Sequence, residues 1–414
     1  MRRISSNMTN ANLQDSLRMQ EYKSNKMQNQ MSSQNKIQNL RDDPLAAGRL
    51  VRYQSYNSRV HQFEKNAQTL VDQYSVSEGY MDHSLQVMQR VRELAVTSAN
   101  GVYSKDDMQA IAAEVNELLN ELVASGNAVG ADGSALFAGT RTQSEAFSPE
   151  LGPVAGSAVP LITEVRYNGS IAGNSIEVEE GDYMEVNRAG NSIFWAEQQN
   201  LIGKRDAGAF QINTQSVISV DGKDIQLNEG DNVYSIISKI NNAGVAVKAT
   251  LDPVTNGLSL QTTDARQLWL EDKSGNALQD LGIIKDSSQR PPYNIAASAD
   301  LSGGSLFDSV IAFRDALMVG DSYTIGGSVL GKIDSSIGNL TQRITEVGAK
   351  YERAQQKIAI AQTNDLNTTA MISREGDINI AEAITDMKML DYTKQATLST
   401  AGKLYQTTLL NYMR

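Results

Sequence analysis

Residues 330–361 read LGKIDSSIGNLTQRITEVGAKYERAQQKIAIA, and their apolar side chains recur at alternating steps of three and four residues. This spacing is the heptad pattern of a helix whose apolar stripe packs against partner helices. We therefore predict one long helix that begins directly after Gly326-Gly327-Ser328 and needs a neighbour. Its stripe consists of Leu330, Ile333, Ile337, Leu340, Ile344, Val347, Tyr351, Ala354, Ile358 and Ala361.

A second stripe of the same kind runs from Val60 to Ala95. It stops before Asn100-Gly101, a pair suited to a left-handed helix cap. Because each stripe needs a partner, we predict that the N-terminal and C-terminal segments pack as a long antiparallel helical bundle or coiled coil. The predicted bundle seam consists of Phe63, Leu70, Met88, Val91, Ile337, Leu340, Ile344 and Val347.

Two shorter helices are expected beside the long ones. Ser104 and Asp107 resemble a capping box at the start of an apolar stripe over residues 108–122. Residues 306–317 carry another stripe, which ends before Gly320.

The two ends of the chain carry a weaker apolar pattern. Gln20 and Ser24 interrupt one face near the N-terminus, and Lys394 and Thr397 interrupt the face near the C-terminus. Neither end has enough apolar surface to offset its ordering entropy alone, so we expect both to be disordered in the free monomer and helical against other copies. The predicted assembly residues are Leu13, Leu17, Met27, Met31, Ile380, Ile384, Met387, Leu398, Leu404 and Leu409.

The middle of the chain changes character, with Asn-Gly and Asp-Gly pairs among alternating β-branched residues. Hairpin turns are predicted at Asn168-Gly169, which follows Val165–Tyr167, at Asp221-Gly222 and at Asn256-Gly257. The apolar spacing over residues 233–240 predicts one helix between the last two hairpins.

Together these patterns predict a mainly α fold with an inserted β-rich (α+β) domain. Residues 1–41 with 374–414 are expected to form the terminal helices of an inner core. The helical bundle and a hairpin are expected to comprise residues 42–145 with 300–373. The outer insertion is expected at 146–299.

Composition excludes several classes of function. The chain has no cysteine, which removes disulfides, thiolate zinc sites and cysteine nucleophiles. Its 37 Lys and Arg against 48 Asp and Glu give a net charge of −11, so nucleic acid and anionic lipid are not expected partners. No apolar segment follows Arg2 and Arg3 as in a secretory signal, and no apolar run is long enough for membrane insertion.

Candidate catalytic and metal-binding residues are few. His61 and His83 lie about six turns apart on one predicted helix, so one metal ion cannot bind both. The acidic run Glu177–Glu185 alternates in part with Ile176 and Val178, which is typical of a half-buried strand with a solvated face. We therefore expect no enzyme activity, no metal and no cofactor.

Basic residues lie beside the predicted bundle stripes. Acidic residues nearby in the sequence offset their positive charge, so ion pairing between helices is a simpler interpretation than a nucleic-acid-binding patch. These residues are Arg90, Arg92, Lys350, Arg353 and Lys357.

Five stretches resemble bacterial flagellins and the related junction proteins of the flagellum. Residues 41–48, RDDPLAAG, are similar to the family's turn between terminal helix and bundle, and contain Asp42, Asp43 and Pro44. Pro44, where flagellins usually have Ala, favours the junction proteins. Residues 89–101 resemble the family's bundle helix, and residues 136–142 resemble the hairpin that follows it. Residues 217–284 resemble an insertion motif of the family's outer domains, and residues 378–409 resemble its C-terminal helix.

This resemblance implies a structural component of the bacterial flagellum that links hook to filament and assembles by coupled folding and polymerisation. It implies export of the unfolded chain through the flagellar type III channel, with a cytosolic chaperone holding the termini. The implied partners are other copies in a ring layer, the first hook-associated protein and flagellin. The implied location is the flagellum, extracellular, or periplasmic if the organism is a spirochaete.

Two other functions stay open at this point. Within the family, the chain is a candidate flagellin filament subunit. Outside it, a secreted coiled-coil fibre or adhesin would use the middle domain to bind a surface ligand.

Overall fold

The computed structural model describes residues 6–100, 103–285 and 290–412. It is mainly helical with an inserted region of antiparallel strands, which confirms the predicted fold class. The helices are α1 (Ser6–Ser33), α2 (Pro44–Ala99), α3 (Lys105–Gly126), α4 (Gly190–Ile193), α5 (Val233–Asn242), α6 (Ala277–Asp280), α7 (Leu306–Val319), α8 (Ser322–Thr324), α9 (Leu330–Gly376) and α10 (Ile380–Tyr412), with a π-helical turn at Ile325–Val329.

The strands of the described residues form small antiparallel sheets. Two sheets are the pairs β1-β2 and β3-β4, and the larger ones have the orders β10-β6-β7 and β11-β5-β9-β8. The strands are β1 (Phe147–Gly152), β2 (Leu161–Tyr167), β3 (Ser175–Glu179), β4 (Asp182–Glu185), β5 (Asn200–Gly203), β6 (Ser216–Val220), β7 (Lys223–Leu227), β8 (Val247–Leu251), β9 (Leu258–Thr262), β10 (Leu270–Ser274) and β11 (Ala299–Ser302).

The chain divides into two compact units. The terminal unit comprises the described residues of 1–65 and 358–414, and the central unit comprises those of 66–357. Helices α2 and α9 contribute residues to both units. The finer division of the helical part at residues 41 and 374 stays a prediction.

The helices of the central unit bury their predicted stripes. Arg92 Nε on α2 lies 2.6 Å from Asp334 Oδ1 on α9, which fixes the pairing of the two helices here. Each fully buried Leu or Met contributes about 1.5–3 kcal/mol, so this seam stabilises the unit without another molecule. The buried seam residues are Leu70, Met88, Val91, Leu340 and Val347, and the half-buried ones are Ile337 and Ile344.

Capping residues define the two shorter helices, α3 and α7, which pack together. The side chain of Ser104 accepts a hydrogen bond from the N–H of Asp107, whose carboxylate accepts one from the N–H of Ser104, so the predicted capping box is confirmed. Ser305 and Asp308 form a second capping box at the start of α7. Gly320 ends α7 with φ of 82°, as its position in the sequence predicts. For α2, Gly101 of the predicted cap lies outside the described residues.

The long C-terminal helix α9 begins at Leu330, as the sequence predicts, but further helical turns precede it. Helical backbone already begins at Ser322 and passes through Gly326–Ser328. Asp321 caps this start, because its Oδ1 accepts a hydrogen bond from the N–H of Thr324 at 3.1 Å. A Cβ at Gly326 would lie 3.4 Å from the Cβ of Ala99, an ordinary van der Waals contact, so the packing of these helices does not require glycine there.

Two of the predicted hairpins are confirmed. Strands β6 and β7 pair across Asp221-Gly222, whose φ angles of 49° and 79° are those of a type I′ turn. Strands β8 and β9 pair across the turn that contains Asn256-Gly257. The helix expected between them is α5, and its residues Val233, Ile236 and Ile240 are buried.

The hairpin predicted at Asn168-Gly169 is wrong. The strand before it, β2, pairs backwards with β1, so that Phe147 faces Tyr167. Gly169 instead lies against the ring of Tyr167. The hydroxyl of Tyr167 lies within hydrogen-bond distance of two backbone carbonyls, that of Phe137 at 3.1 Å and that of Ser170 at 3.0 Å. The Asn-Gly pair therefore permits a close backbone approach rather than a strand reversal.

An aromatic cluster fixes the β1-β2 pair against the helices of the central unit. The ring of Phe147 lies 5.2 Å from those of Tyr167 and Phe194 and 5.0 Å from that of Phe307 on α7, measured between centroids. A Cβ at Gly126, the last residue of α3, would lie 2.8 Å from Phe147 Cδ2. The end of α3 therefore requires a residue without a side chain.

An alternating chain of charges, which we name the arginine network, connects the β-rich region to α9. Burial raises the pKa of Asp264, but hydrogen bonds from Arg266 and Arg343 outweigh burial, so this pKa lies below its ordinary value. The carboxylate therefore stays ionised between two guanidinium groups. The ion pairs are Asp221–Arg266 (2.6 Å), Arg266–Asp264 (2.6 Å), Asp264–Arg343 (2.6 Å), Arg343–Glu346 (3.1 Å) and Glu346–Arg188 (2.8 Å).

The interpretation of the acidic run Glu177–Glu185 is also corrected in part by the structure. It forms the β3-β4 hairpin with a half-buried face, as expected, but its acids are not merely solvated. Lys350 Nζ lies 2.6 Å from Glu185, and Asp182 accepts from Arg353 at 2.7 Å and from Lys357 at 2.8 Å. These three basic residues therefore hold the hairpin on α9.

Candidate assembly surface

The motif predicted as the domain turn lies between α1 and α2. Asp43 Oδ1 accepts hydrogen bonds from the N–H groups of Leu45 and Ala46, at 3.1 and 2.9 Å, and so caps α2. Pro44 is the first residue of α2, where a missing N–H costs nothing and the fixed φ suits a helix.

Asp42 connects this turn back to α1. Its Oδ1 lies 2.6 Å from Lys26 Nζ, and its Oδ2 accepts from the N–H groups of Gln38 and Asn39 at 3.3 and 3.2 Å. The hydrogen bond from Lys26 and those from the backbone hold the pKa of Asp42 below its ordinary value. The two adjacent aspartates thus differ in role, since Asp43 caps α2 and Asp42 pairs with Lys26 of α1.

A short backbone pairing joins the turn after α1 to the turn between α9 and α10. The N–H of Lys36 donates to the carbonyl of Gly376 at 2.6 Å, and the N–H of Ile378 donates to that of Gln34 at 3.0 Å. Gln34 has a φ of 57°, which turns the chain out of α1. The end of α1 and the start of α10 therefore lie side by side in the terminal unit.

Helices α1 and α10 pack against each other, partly through polar contacts. Gln20 Nε2 donates to Thr397 Oγ1 at 3.0 Å, and Lys394 Nζ lies 3.4 Å from Glu21 Oε1. In the sequence, Gln20, Lys394 and Thr397 only interrupt the apolar pattern. The Gln20–Thr397 hydrogen bond shows that two of these interruptions face each other.

In the terminal unit, α2 and α9 run antiparallel. Arg49 pairs with Glu375 at 3.0 Å, while His61 Nε2, further along α2, lies 3.2 Å from Asp365 Oδ1. Three residues later, Glu64 accepts from Gln362 Nε2 at 3.0 Å. Residue numbers thus rise along one helix as they fall along the other. Phe63, predicted in this seam, is half-buried.

The predicted assembly residues remain accessible within the terminal unit. On α10, the exposed fractions are 49% for Ile380, 41% for Ile384 and 49% for Leu398. The half-buried members of the set are Leu13, Leu17, Met27, Met31 and Met387. The side chains of Leu404 and Leu409 lie outside the described residues, and the role of the whole set stays a prediction.

Further apolar residues that the sequence pattern did not single out are exposed on the same helices. On α1 these are Met8, Met19 and Tyr22, and on α10 Met389 and Tyr392, each more than 60% exposed. Their signal in the sequence was weak, because they lie off the faces that carry the periodic pattern. The terminal helices therefore present apolar side chains on more than one face.

The described residues show no cluster suited to metal binding. No group of three or more His, Asp or Glu side chains among them is placed to hold a metal ion. His83 instead pairs with Glu121 at 2.8 Å. Within the described part of the chain, no helix combines the length and apolar character needed to cross a membrane.

Comparison with known proteins gives matches to flagellar proteins. Residues 4–142 match the family described as the bacterial flagellin N-terminal helical region. Flagellin A of Vibrio anguillarum is 25% identical over 380 residues, which cover 91% of this chain and 89% of that protein. Flagellar hook-associated protein 3 of Escherichia coli is 25% identical over 184 residues, covering 44% of this chain and 54% of that protein.

One of the solved structures similar to this chain is the flagellar hook-associated protein-3 of Legionella pneumophila. It matches with a TM-score of 0.48 and 15% identity over 78% of this chain and 97% of that one. Residues 4–142 thus match the bacterial flagellin N-terminal helical region, and the chain is similar in sequence to flagellins and to a flagellar hook-associated protein 3.

Proposed function

We propose that this chain is a structural subunit of the bacterial flagellum, located at the junction between hook and filament. The flagellin-type N-terminal region and the relatives support a flagellar role. Pro44 after Asp42-Asp43 supports the junction over the filament. In this proposal the chain has no catalytic task and works mechanically, by matching two differently packed lattices.

The observation that carries the proposal is the difference between the two units. Most of the bundle seam of the central unit is buried, whereas the terminal helices leave Met19, Tyr22, Ile380, Met389 and Tyr392 exposed. Apolar residues in such number on neighbouring helices are typical of a surface that another molecule covers. The terminal helices are thus suited to assembly.

The mechanism that we propose is coupled folding and assembly. The terminal helices of one copy gain the contacts that they lack from helices of neighbouring copies. Each buried Leu or Met contributes about 1.5–3 kcal/mol, and several per subunit offset the ordering entropy of the ends. Interfaces that repeat head to tail without closing build a helical tube, in which one layer forms the junction.

The proposed partners follow from this location. Other copies of the chain form the layer, the first hook-associated protein lies on one side of it, and flagellin lies on the other. A cytosolic chaperone holds the termini before export through the type III channel. The mature location is outside the cell, or in the periplasm of a spirochaete.

A filament subunit is the second candidate, and one observation favours it. The match to Flagellin A of Vibrio anguillarum extends over 91% of this chain, whereas that to hook-associated protein 3 covers 44%. The two candidates differ in how far they polymerise. A filament subunit adds indefinitely to a seed, whereas a junction subunit adds one limited layer.

Deletion of the gene in its own bacterium tests the proposal. We expect hooks without filaments in electron micrographs, together with flagellin secreted into the medium without being assembled. A plasmid copy of the full chain should restore filaments. Normal filaments on the deletion strain would exclude the junction role, and absent filaments without secreted flagellin would favour the filament subunit.

A further inference from the structure

A cationic groove lies wholly within the terminal unit, between α2 and α9. It encloses about 670 Å³. Its lining combines three arginines and two tyrosines of α2 with polar and apolar side chains of α9. The members used below are Arg49, Arg52, Tyr53, Tyr56, Arg59 and Met371.

The charges of the groove are only partly neutralised. Arg49 pairs with Glu375 at 3.0 Å. The guanidinium of Arg59 lies 5.8 Å from the ring centre of Tyr56, in cation–π contact. Arg52 is exposed, and within the described part of the chain no carboxylate lies within ion-pair distance of it. The groove therefore retains a positive charge that a negatively charged partner would complement.

The composition of the groove is that of a protein interface. Arg, Tyr and Met are enriched at the centres of protein–protein interfaces, where flat side chains bury a large area at low entropic cost. Met371 is exposed at its edge, while Thr368 is buried at its floor. A polyanion such as nucleic acid is a poorer candidate, because the chain as a whole carries a charge of −11.

The distribution of charge along the chain indicates which protein fits. Residues 1–65 and 358–414 contain 16 Lys and Arg against 11 Asp and Glu, whereas residues 66–357 contain 21 against 37. The terminal unit is thus basic and the central unit strongly acidic. Unlike charges on the two units favour contact between the terminal unit of one copy and the central unit of the next.

We propose that this groove docks the acidic central unit of a second copy of the chain. The inference rests on the proposed function and adds the surface through which copies associate. It assigns Arg52 as the residue that selects an acidic face. It also predicts that association weakens as salt screens these charges.

A charge-reversal variant of the full-length chain tests the groove. Arg52→Glu should lower the association constant between copies about fivefold at low salt, because a favourable interface charge becomes repulsive. Arg374→Glu is the matched control, since it changes the charge of the same unit equally but lies outside the groove lining. Sedimentation of both variants and the unmodified chain at 50 and 500 mM salt measures the effect.

Cross-linking identifies the occupant. Tyr56 is replaced by the photoreactive p-benzoyl-L-phenylalanine in the full chain, and light and heavy isotope-labelled copies are mixed before irradiation. We expect links from Tyr56 to residues within 66–357 of the other isotopic form. Links only to residues 1–65 or 358–414 of another copy, or no link between copies, would overturn the proposal.

The two proposals fail in different ways. Equal association by the groove variant and the control would refute the groove while leaving the gene-deletion result untouched. Normal filaments on the deletion strain would refute the junction role even if the groove variant associates poorly. A wild-type chain that does not self-associate at either salt concentration would refute the docking proposal.

Discussion

Arg343 Nη2 on α9 donates a hydrogen bond of 2.6 Å to Asp264 Oδ2, 79 residues earlier in the chain, in the loop between β9 and β10. The Arg343 side chain is only 6% exposed and that of Asp264 is 28% exposed. Arg343 also lies 3.1 Å from Glu346. This pair is the central contact of the arginine network, and through it the β-rich region is attached to the bundle of the central unit.

Replacing Asp264→Ala should lower the free energy of unfolding by about 2 kcal/mol, because it leaves the largely buried guanidinium of Arg343 with one carboxylate fewer. Urea denaturation followed by circular dichroism measures the change. Asp300→Ala is the control, since Asp300 and its partner Lys204 are at least half exposed. An exposed pair of this kind is worth at most about 1 kcal/mol. Equal losses in the two variants would contradict a special role of the network.

The cap of α2 gives a second prediction. Asp43→Ala removes the acceptor for two N–H groups and should destabilise the first turn of α2 by about 1 kcal/mol. Hydrogen exchange at Leu45 and Ala46 should become faster. Asp43→Asn retains an acceptor of the same shape, so it should leave the exchange rates close to those of the unmodified chain. Faster exchange in both variants would show that charge, rather than capping, matters.

Periodicity was sufficient to predict the helical part of the fold. The stripes over 60–95 and 330–361 place Leu70, Val91 and Leu340 in the buried seam, because a heptad pattern fixes which face turns inward. Turn chemistry was sufficient at Asp221-Gly222, where both residues have positive φ. These elements are determined by residues close together in the chain.

Contacts between distant residues account for what the sequence did not reveal. The partner of β2 is the strand before it, and the Asn-Gly pair after Tyr167 serves the packing of that ring. The arginine network joins residues that are 45 and 79 positions apart, such as Arg266 with Asp221 and Arg343 with Asp264. No local pattern indicates such pairings, because they arise only when the tertiary fold brings the segments together.

The candidate assembly surface was only partly accessible from the sequence. The resemblance drew attention to Asp42, Asp43 and Pro44, but not to the separate tasks of the two aspartates. The sequence does not reveal the groove beside Arg52, because arginines three and seven positions apart on a helix do not form a recognisable motif. The unlike charges of the two units emerge only once the unit boundaries are known.

The β3-β4 hairpin gives a prediction on pH. Hydrogen bonds from Lys357 and Arg353 lower the pKa of Asp182, and one from Lys350 lowers that of Glu185. Carboxyl groups with lowered folded pKa values stabilise the fold above their unfolded values of about 3.9 and 4.3, and this contribution is lost as pH falls through the folded pKa. Docking of the hairpin should therefore be constant from neutral pH to about pH 5 and weaken below about pH 4.

Asp182→Asn tests that pH dependence. The variant should be less stable than the unmodified chain at neutral pH, where the unmodified chain has Asp182 fully ionised and paired. Its stability should decrease less steeply as the pH is lowered. Exchange of the hairpin amides as a function of pH measures both effects. Asp224→Asn, on the exposed face of β7, is a control that should leave the profile unchanged. If exchange of the hairpin amides in Asp182→Asn depended on acid pH as it does in the unmodified chain, the ion pairs would not be what holds the hairpin.

The terminal helices supply the last prediction. In the free monomer, limited proteolysis should remove about 40 residues from each end and leave a resistant middle of the chain, because the ends lack the contacts that assembly supplies. A chain without residues 378–414 should unfold at the same temperature in the central unit but fail to enter the flagellum. As a control, Tyr234→Ala on the exposed face of α5 should assemble normally, since this residue belongs to the central unit. Ends that resist protease in the monomer, or incorporation of the truncated chain, would show that folding of the termini is independent of neighbouring copies.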